Sequence, residues 1–429
     1  MHLFLSLVLL LSLSVSSLAI PTPIRHPHLP TDKSFRIARV KRSDFVAHGP
    51  AALRKAYRKY GVAPHNFDDL GLSDFAPLNA NLAGVSSNQN TAESDQTGAV
   101  TATSVQNDVE FVSPVTIGGQ NITLNFDTGS ADLWVMNTYL PDSITSGRTV
   151  YDPQKSRTYK ATKGTFAISY GDSSSASGGL AQDTVSIGGA TVQNQVFGIP
   201  TKVANTFIED THSNGLVGLG FSKMNTFKPG PHKTFFDNIA ADLDEPVLTA
   251  RLLSSGVGEY EFGTIDKSKY QGTLVNVSVD ASNGYWEFDA AQFRVGGEKT
   301  WHEITDTPTA IADTGTSLML VAAEVARAYY KDVNGSMYAG NVGGYIYPCD
   351  AELPSLSVAI GGEFQATIPG SLINYSQIGT NTTTGETLCY GGVQSNSGSK
   401  LQIFGDVFLK ALFVVFDQRG PSLGFAAPA

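Results

Sequence analysis

The stretch Asn125-Phe126-Asp127-Thr128-Gly129-Ser130-Ala131-Asp132-Leu133-Trp134-Val135 decides the fold, because its centre returns later as Ala312-Asp313-Thr314-Gly315-Thr316-Ser317. A lone Asp-Thr-Gly reads as an ordinary Asx-turn. Here each copy is followed by an apolar-apolar-Gly element, Leu216-Val217-Gly218 and Ile403-Phe404-Gly405. The offset from Asp to that Gly is 91 residues in the first half and 92 in the second. Two triplets with matched downstream elements predict an internal duplication: two lobes of one topology, meeting near residues 270–280. Around them, short apolar runs end in Gly pairs. Val112–Ile117 precedes Gly118-Gly119, Thr184–Ile187 precedes Gly188-Gly189, and Val358–Ile360 precedes Gly361-Gly362. This hairpin-rich pattern predicts an all-β chain. In the body of the chain, helical spacing is confined to Phe235–Leu243, Ala322–Val333 and a short piece at Val407–Ala411.

Leu124-Asn125-Phe126 and Thr309-Ala310-Ile311-Ala312 are the expected strands that deliver Asp127 and Asp313 to the lobe interface. Two carboxyl groups brought together suit one chemistry. Water attacking an amide must lose a proton while the carbonyl oxygen gains one. An ionised carboxylate takes the first and a protonated neighbour donates the second. Like charges about 3 Å apart cannot both ionise, so the pair shares a proton and works in acid. The neighbouring residues fit that task. Thr128 and Thr314 offer hydroxyls that bond across the interface. Gly129 and Gly315 admit the backbone beside the carboxylates without a Cβ. Ser130 and Thr316 are placed to bond the outer carboxylate oxygens.

The 429 residues suffice for two or more packed domains, and 41% are apolar against 16% charged. A net charge of −10 speaks against a nucleic-acid partner. That charge is unevenly placed. Residues 20–92 hold ten Lys and Arg against five Asp and Glu, a net of +5; from Glu93 onward 19 basic and 34 acidic residues leave −15. A basic leader on an acidic body predicts that the first covers the second. Within the leader, Ala51–Tyr60 has helical spacing, with Leu53, Ala56, Tyr57 and Tyr60 on one face. Ser86–Val105 reads as a polar linker suited to processing.

Residues 1–19 carry an apolar run, Leu3–Leu18, ending in small residues. This reads as a secretory signal peptide, with a membrane anchor as the alternative. The cysteines Cys349 and Cys389 form a lone pair, most simply one disulfide in a secreted chain; two free thiols are the alternative. The sequons at Asn121, Asn276, Asn334, Asn374 and Asn381 are candidate glycosylation sites.

On these residues the chain resembles the pepsin family of aspartic endopeptidases, the established case of two carboxylates sharing one proton. Phe126–Val135 and Ala312–Ser317 carry the resemblance. Tyr151-Asp152-Pro153, Gly263-Thr264-Ile265-Asp266 and Ile403-Phe404-Gly405-Asp406 add to it. It covers residues 108–429 and the leader, and is nearest the fungal penicillopepsin and aspergillopepsin group. The resemblance implies a bilobal all-β fold with an interlobe cleft and a β-hairpin flap. It implies protein and peptide substrates, no cofactor or metal, a secreted monomer and no membrane association. Asp127 and Asp313 would be catalytic. Tyr170 and Gly171, 43 and 44 residues after Asp127, would form the flap. Tyr170 would bond toward Trp134, and Gly129, Gly315 and Thr316 would meet substrate. Asp172 and Ser174 match family members that accept Lys before the cut; a solvated hairpin-tip charge is the other reading of Asp172.

The resemblance also makes the leader an inhibitory propeptide, with Lys59 the residue that reaches the two aspartates. Lys41-Arg42 is an alternative processing site. The expected domains are a signal peptide 1–19, a propeptide 20–92 ending somewhere in 85–98, an N-terminal lobe 93–275 and a C-terminal lobe 276–429. An inactive, binding-only relative would lose an Asp or the flap Tyr, and all three are present. No His-Glu-x-x-His motif occurs, which leaves zinc-protease chemistry without its residues.

Overall fold

Gly118-Gly119 and Gly188-Gly189 show how this sequence turns into sheet. All four residues have positive φ, between 55° and 116°. Ile117 pairs with Gln120 and Ile187 with Ala190, so each Gly pair is a two-residue hairpin loop. Such loops demand φ > 0 at both central residues, which glycine adopts without a Cβ penalty.

The computed structural model describes residues 34–41, 47–62, 111–169, 175–204, 207–208, 213–253, 258–381 and 384–429. These all belong to one unit, Lys33–Ala429. The signal segment 1–19, the processing region 85–98, Arg42 and the flap-tip residues 170–174 lie outside the described residues.

The duplication is visible in strand pairing. In the first half, Gln120–Asp127 runs parallel to Gly215–Gly218, which is antiparallel to Leu133–Val135, which is parallel to Ala190–Val203. In the second half, Thr309–Ala312 runs parallel to Gln402–Phe404, which is antiparallel to Met319–Val321, which is parallel to Val393–Ser395. Order and sense are the same. The Asp127↔Gly218 register, and the Asp313 N–H bond to Phe404 O beside Gly405, explain the matched offsets. The first lobe adds the long hairpin Lys160–Ser169 and Ser175–Ile187. Smaller four-stranded sheets complete the second lobe.

Both halves contribute to a central sheet. Val247–Leu252 pairs with Phe413–Asp417, and Tyr270–Ser278 with Ser422–Pro428. The boundary placed at 275/276 therefore lies inside a strand of shared sheet. Leader residues fill a slot in it: Phe35–Lys41 pairs with Gly258–Phe262 on one side and with Phe111 and Val112 on the other. One large apolar core runs through both halves and takes in Ile37, Leu53, Ala56 and Tyr57 of the leader.

The leader helix spans Gly49–Lys59. Pro50 suits its first turn, where its missing N–H costs nothing. Gly61 at φ 63° ends it, with Val62 N–H bonding back to Tyr57 O at 2.8 Å. The other helices are short: Phe235–Ile239, Ala323–Lys331 and Asp406–Leu409 stand where helical spacing predicted them, and the single turns Asp142–Thr145 and Gly370–Ile373 were not predicted. Among the described residues, no helix is long and apolar enough to cross a membrane.

Candidate active site

The two Asp strands end at the lobe interface, and the turns after them lock together. Thr128 Oγ1 donates to Ala312 O at 2.8 Å and accepts from Thr314 N–H at 3.0 Å. Thr314 Oγ1 does the reverse, donating to Phe126 O at 2.8 Å and accepting from Thr128 N–H at 3.1 Å. All four bonds are buried, in surroundings where an unpaired polar group is costly, so they set the spacing of the turns. A Cβ on Gly315 would lie 2.4 Å from Asp127 Oδ1, and one on Gly129 would lie 2.6 Å from Asp313 Oδ1. Each glycine thus makes room for the opposite lobe's carboxylate. Asp127 and Asp313 are 2% and 0% exposed.

Every carboxylate oxygen has a donor. Gly129 N–H and Gly315 N–H donate to the Oδ1 of their own Asp at 2.9 Å. Ser130 Oγ donates to Asp127 Oδ2 at 2.5 Å. The leader supplies the remainder. Lys59 Nζ lies 2.5 Å from Asp127 Oδ1 and 2.8 and 2.9 Å from the two oxygens of Asp313. Tyr60 Oη donates to Asp313 Oδ2 at 2.6 Å.

Burial weighs against charge on all three central groups. It would lower Lys59, yet Asp127 and Asp313 hold the ammonium above its ordinary range. Burial raises Asp127, which Lys59 only partly offsets and Asp313 reinforces, so its carboxyl stays above the usual range. Asp313 bears the same burial, but Lys59 and the hydrogen bond with Asp127 bring it below that range. The opposite directions are those of two carboxyls that share a proton. Burial, then the two carboxylates, push the Tyr60 phenol up, so it stays a donor.

The Thr316 hydroxyl is buried and completes no hydrogen bond by geometry among the described residues, yet it lies near enough to help hold the Asp313 carboxyl down. Lys59 and Tyr60 bond Asp313 Oδ2. Trp134 is buried beneath the hairpin with its ring edge on Phe207, centroids 5.1 Å apart. Its Nε1 has no partner among the described residues. Tyr170, Gly171, Asp172 and Ser174 lie outside them. Cys349 and Cys389 are joined in a disulfide that closes a 40-residue separation. Of the sequons, Asn121, Asn276 and Asn334 are exposed, Asn374 is half-buried and Asn381 is buried.

Sequence reading missed several contacts. Tyr60 was placed on the apolar helix face, but it follows the last helical residue and turns its phenol to Asp313. Tyr57 Oη donates to Ser395 O at 2.7 Å, and Arg36 pairs with Glu261, Glu259 and Asp266 at 2.8, 3.3 and 3.4 Å. The only signal for these was the leader's opposite charge.

Two β lobes of one topology, each ending a strand on an aspartate at a shared interface, define a two-carboxylate hydrolase architecture. Comparison with known proteins gives the family. The eukaryotic aspartyl protease profile matches residues 110–428. An aspergillopepsin A-like aspartic endopeptidase of Aspergillus fumigatus is 56% identical over the full length of both chains. An aspartic protease of Coccidioides posadasii is 48% identical, over all of this chain and 96% of its own. Aspergillopepsin-1 of Aspergillus oryzae is 41% identical, over 94% of this chain and 95% of its own. The chain belongs to the eukaryotic aspartyl protease family and is an aspartic endopeptidase with the bilobal all-β fold.

Proposed function

We propose that this endopeptidase is secreted as a zymogen, is released by acid, and cuts peptide bonds with Asp127 and Asp313 as its catalytic pair. The observation that carries the reading is Lys59 Nζ, within 2.9 Å of three oxygens of the pair. An ammonium there stands where water would have to sit to pass a proton to one carboxyl while the other protonates the substrate carbonyl. Residues 20–92 are then the inhibitory leader, 1–19 the signal peptide, and 93–275 and 276–429 the two lobes.

Acid works on the contacts that hold the leader. The Lys59–Asp313 attraction is present above the ordinary carboxylate range and is lost as pH falls through the depressed range of Asp313. Asp127, held above its usual range, protonates earlier in the descent. Arg36 loses its partner Asp266 later, since the Ser268 hydrogen bonds and nearby cations hold that carboxyl low. The freed dyad, with one proton, is then active.

Asn121, Asn276 and Asn334, as the exposed residues of the five, are the favoured glycan acceptors. The substrate class is large apolar side chains before the cut. Asp172 and Ser174 extend it to Lys, and an unchanged Lys/Phe preference in Asp172→Asn would remove that extension. The whole reading is tested by exposing the secreted chain to acid and sequencing its N-terminus. A new terminus between residues 86 and 98 is expected, together with hydrolysis of denatured protein that pepstatin blocks. Retention of the leader, or hydrolysis indifferent to pepstatin, would sink it.

A further inference from the structure

Asp132 is a buried acid to which the two-carboxyl chemistry gives no task. It lies five residues beyond Asp127 in the same segment and is 2% exposed. Asn225 Nδ2 and Thr226 N–H donate to its Oδ1 at 2.7 and 2.8 Å, and Thr226 Oγ1 lies 2.5 Å from its Oδ2. Asn225 Nδ2 also reaches Ala131 O at 3.2 Å, and its Oδ1 accepts from Phe227 N–H and His232 N–H. One carboxyl and one amide thus bind the segment after the catalytic turn to the loop Asn225–His232.

That loop grips the root of the flap hairpin. Thr165 and Lys228 exchange both backbone hydrogen bonds, at 3.3 and 2.8 Å. Phe227 meets Phe166 edge to face, with ring centroids 6.0 Å apart. A Cβ on Gly164 would lie 2.3 Å from Lys228 O, so loop and strand touch backbone to backbone. The two-lobe symmetry gives an internal control. Five residues beyond Asp313 stands Leu318, buried and apolar. The carboxyl occurs only in the lobe that carries the Lys160–Ile187 hairpin.

We propose that Asp132 is a positioning residue: through Asn225 and Thr226 its side chain holds the loop that grips the hairpin root in register with the Asp127 segment. The proposal rests on the protease reading only for its activity readout. No cation faces the group among the described residues. The ionisable members of the packed loop, Lys228 and His232, meet Thr165 and Asn225 through their backbones. On its own segment the nearest ionisable group in sequence, Asp127, is engaged by Ser130 and Lys59. Burial pushes the Asp132 carboxyl up to about 6, against the Thr226 donors that draw it down. The folded state then binds a proton that the unfolded chain gives up. Its stabilising share is complete below the ordinary Asp range and is lost as pH rises from about 4 to about 6.

Asparagine is the discriminating substitution, because it keeps the shape and the neutral charge. Its oxygen accepts from Asn225 and Thr226 N–H, and its NH2 donates to Thr226 Oγ1. The test compares Asp132→Asn and Asp132→Ala in the full chain after acid maturation. Asp132→Asn is expected to keep kcat and KM in acid within about twofold, while Asp132→Ala raises KM and lowers kcat there. If Asp132→Asn loses acid activity as Asp132→Ala does, or Asp132→Ala keeps both constants, the proposal is overturned. A natural chain without acid hydrolysis would count against the protease reading, while a Tm lower in Asp132→Ala than in Asp132→Asn would still separate a side chain that holds the loop by hydrogen bonds from one that does not.

Discussion

At the scale of single residues, the site combines a pair of carboxyls with an ammonium and a phenol from the leader. Lys59 and Tyr60 between them engage both Asp127 and Asp313. Removing one carboxylate should abolish proton transfer and leave the fold standing, since asparagine still accepts from Gly129 N–H. Asp127→Asn is expected to lower hydrolysis of denatured protein in acid by about 10²–10⁴-fold or more, with an unchanged circular dichroism spectrum. Removing the ammonium should act in the opposite direction. Lys59→Met leaves the two acids without their shared cation, so conversion of the full chain should begin at a higher pH, read by N-terminal sequencing across a pH series. The two Asp turns were legible because an Asp-Thr-Gly triplet is a local signal and occurs twice. Tyr60 was misplaced on the apolar face because periodicity does not say at which residue a helix stops. Gly61 stops it at Lys59, one residue short of the predicted end.

At the scale of elements, the leader attaches through a strand and a helix of different character. The strand Phe35–Lys41 is held by backbone pairing and by Arg36 on acidic partners. The helix Gly49–Lys59 is held by burial of Leu53, Ala56 and Tyr57. Leu53 is 2% exposed, so Leu53→Ala should cost about 2–5 kcal/mol of leader docking. On the proposed zymogen reading, the full chain should then convert at higher pH, whereas the converted enzyme, which would lack the residue, should show unchanged Tm and kcat/KM. An equal loss of stability in the mature enzyme would contradict this. The helix face was readable from its spacing. The surface it covers was not, because that surface is assembled from strands such as Asn374–Thr380 and Thr387–Gly391, far along the chain.

At the scale of the whole molecule, two copies of one strand arrangement are joined by a sheet that neither owns. The second lobe carries a covalent tie, Cys349–Cys389. Cys389→Ser with Cys349→Ser releases a loop of 40 residues and should cost about 3–4 kcal/mol, read as a lower midpoint in denaturant. With the dyad geometry held instead by the Thr128–Thr314 bonds, kcat/KM in acid should remain close to that of the natural chain. The sequence alone determined the all-β class, the duplication, the two aspartates and the opposite charges of leader and body. Each of these is written in local pattern, repeated spacing or composition. Tertiary structure decided which leader atoms meet the dyad, that Tyr60 and Lys59 bond Asp313 Oδ2, that the lobes share a sheet with the leader strand inside it, and that Asp132 is bonded to the loop that grips the root of the hairpin. Those contacts join residues far apart in the chain, and only strand register and side-chain packing bring such residues together.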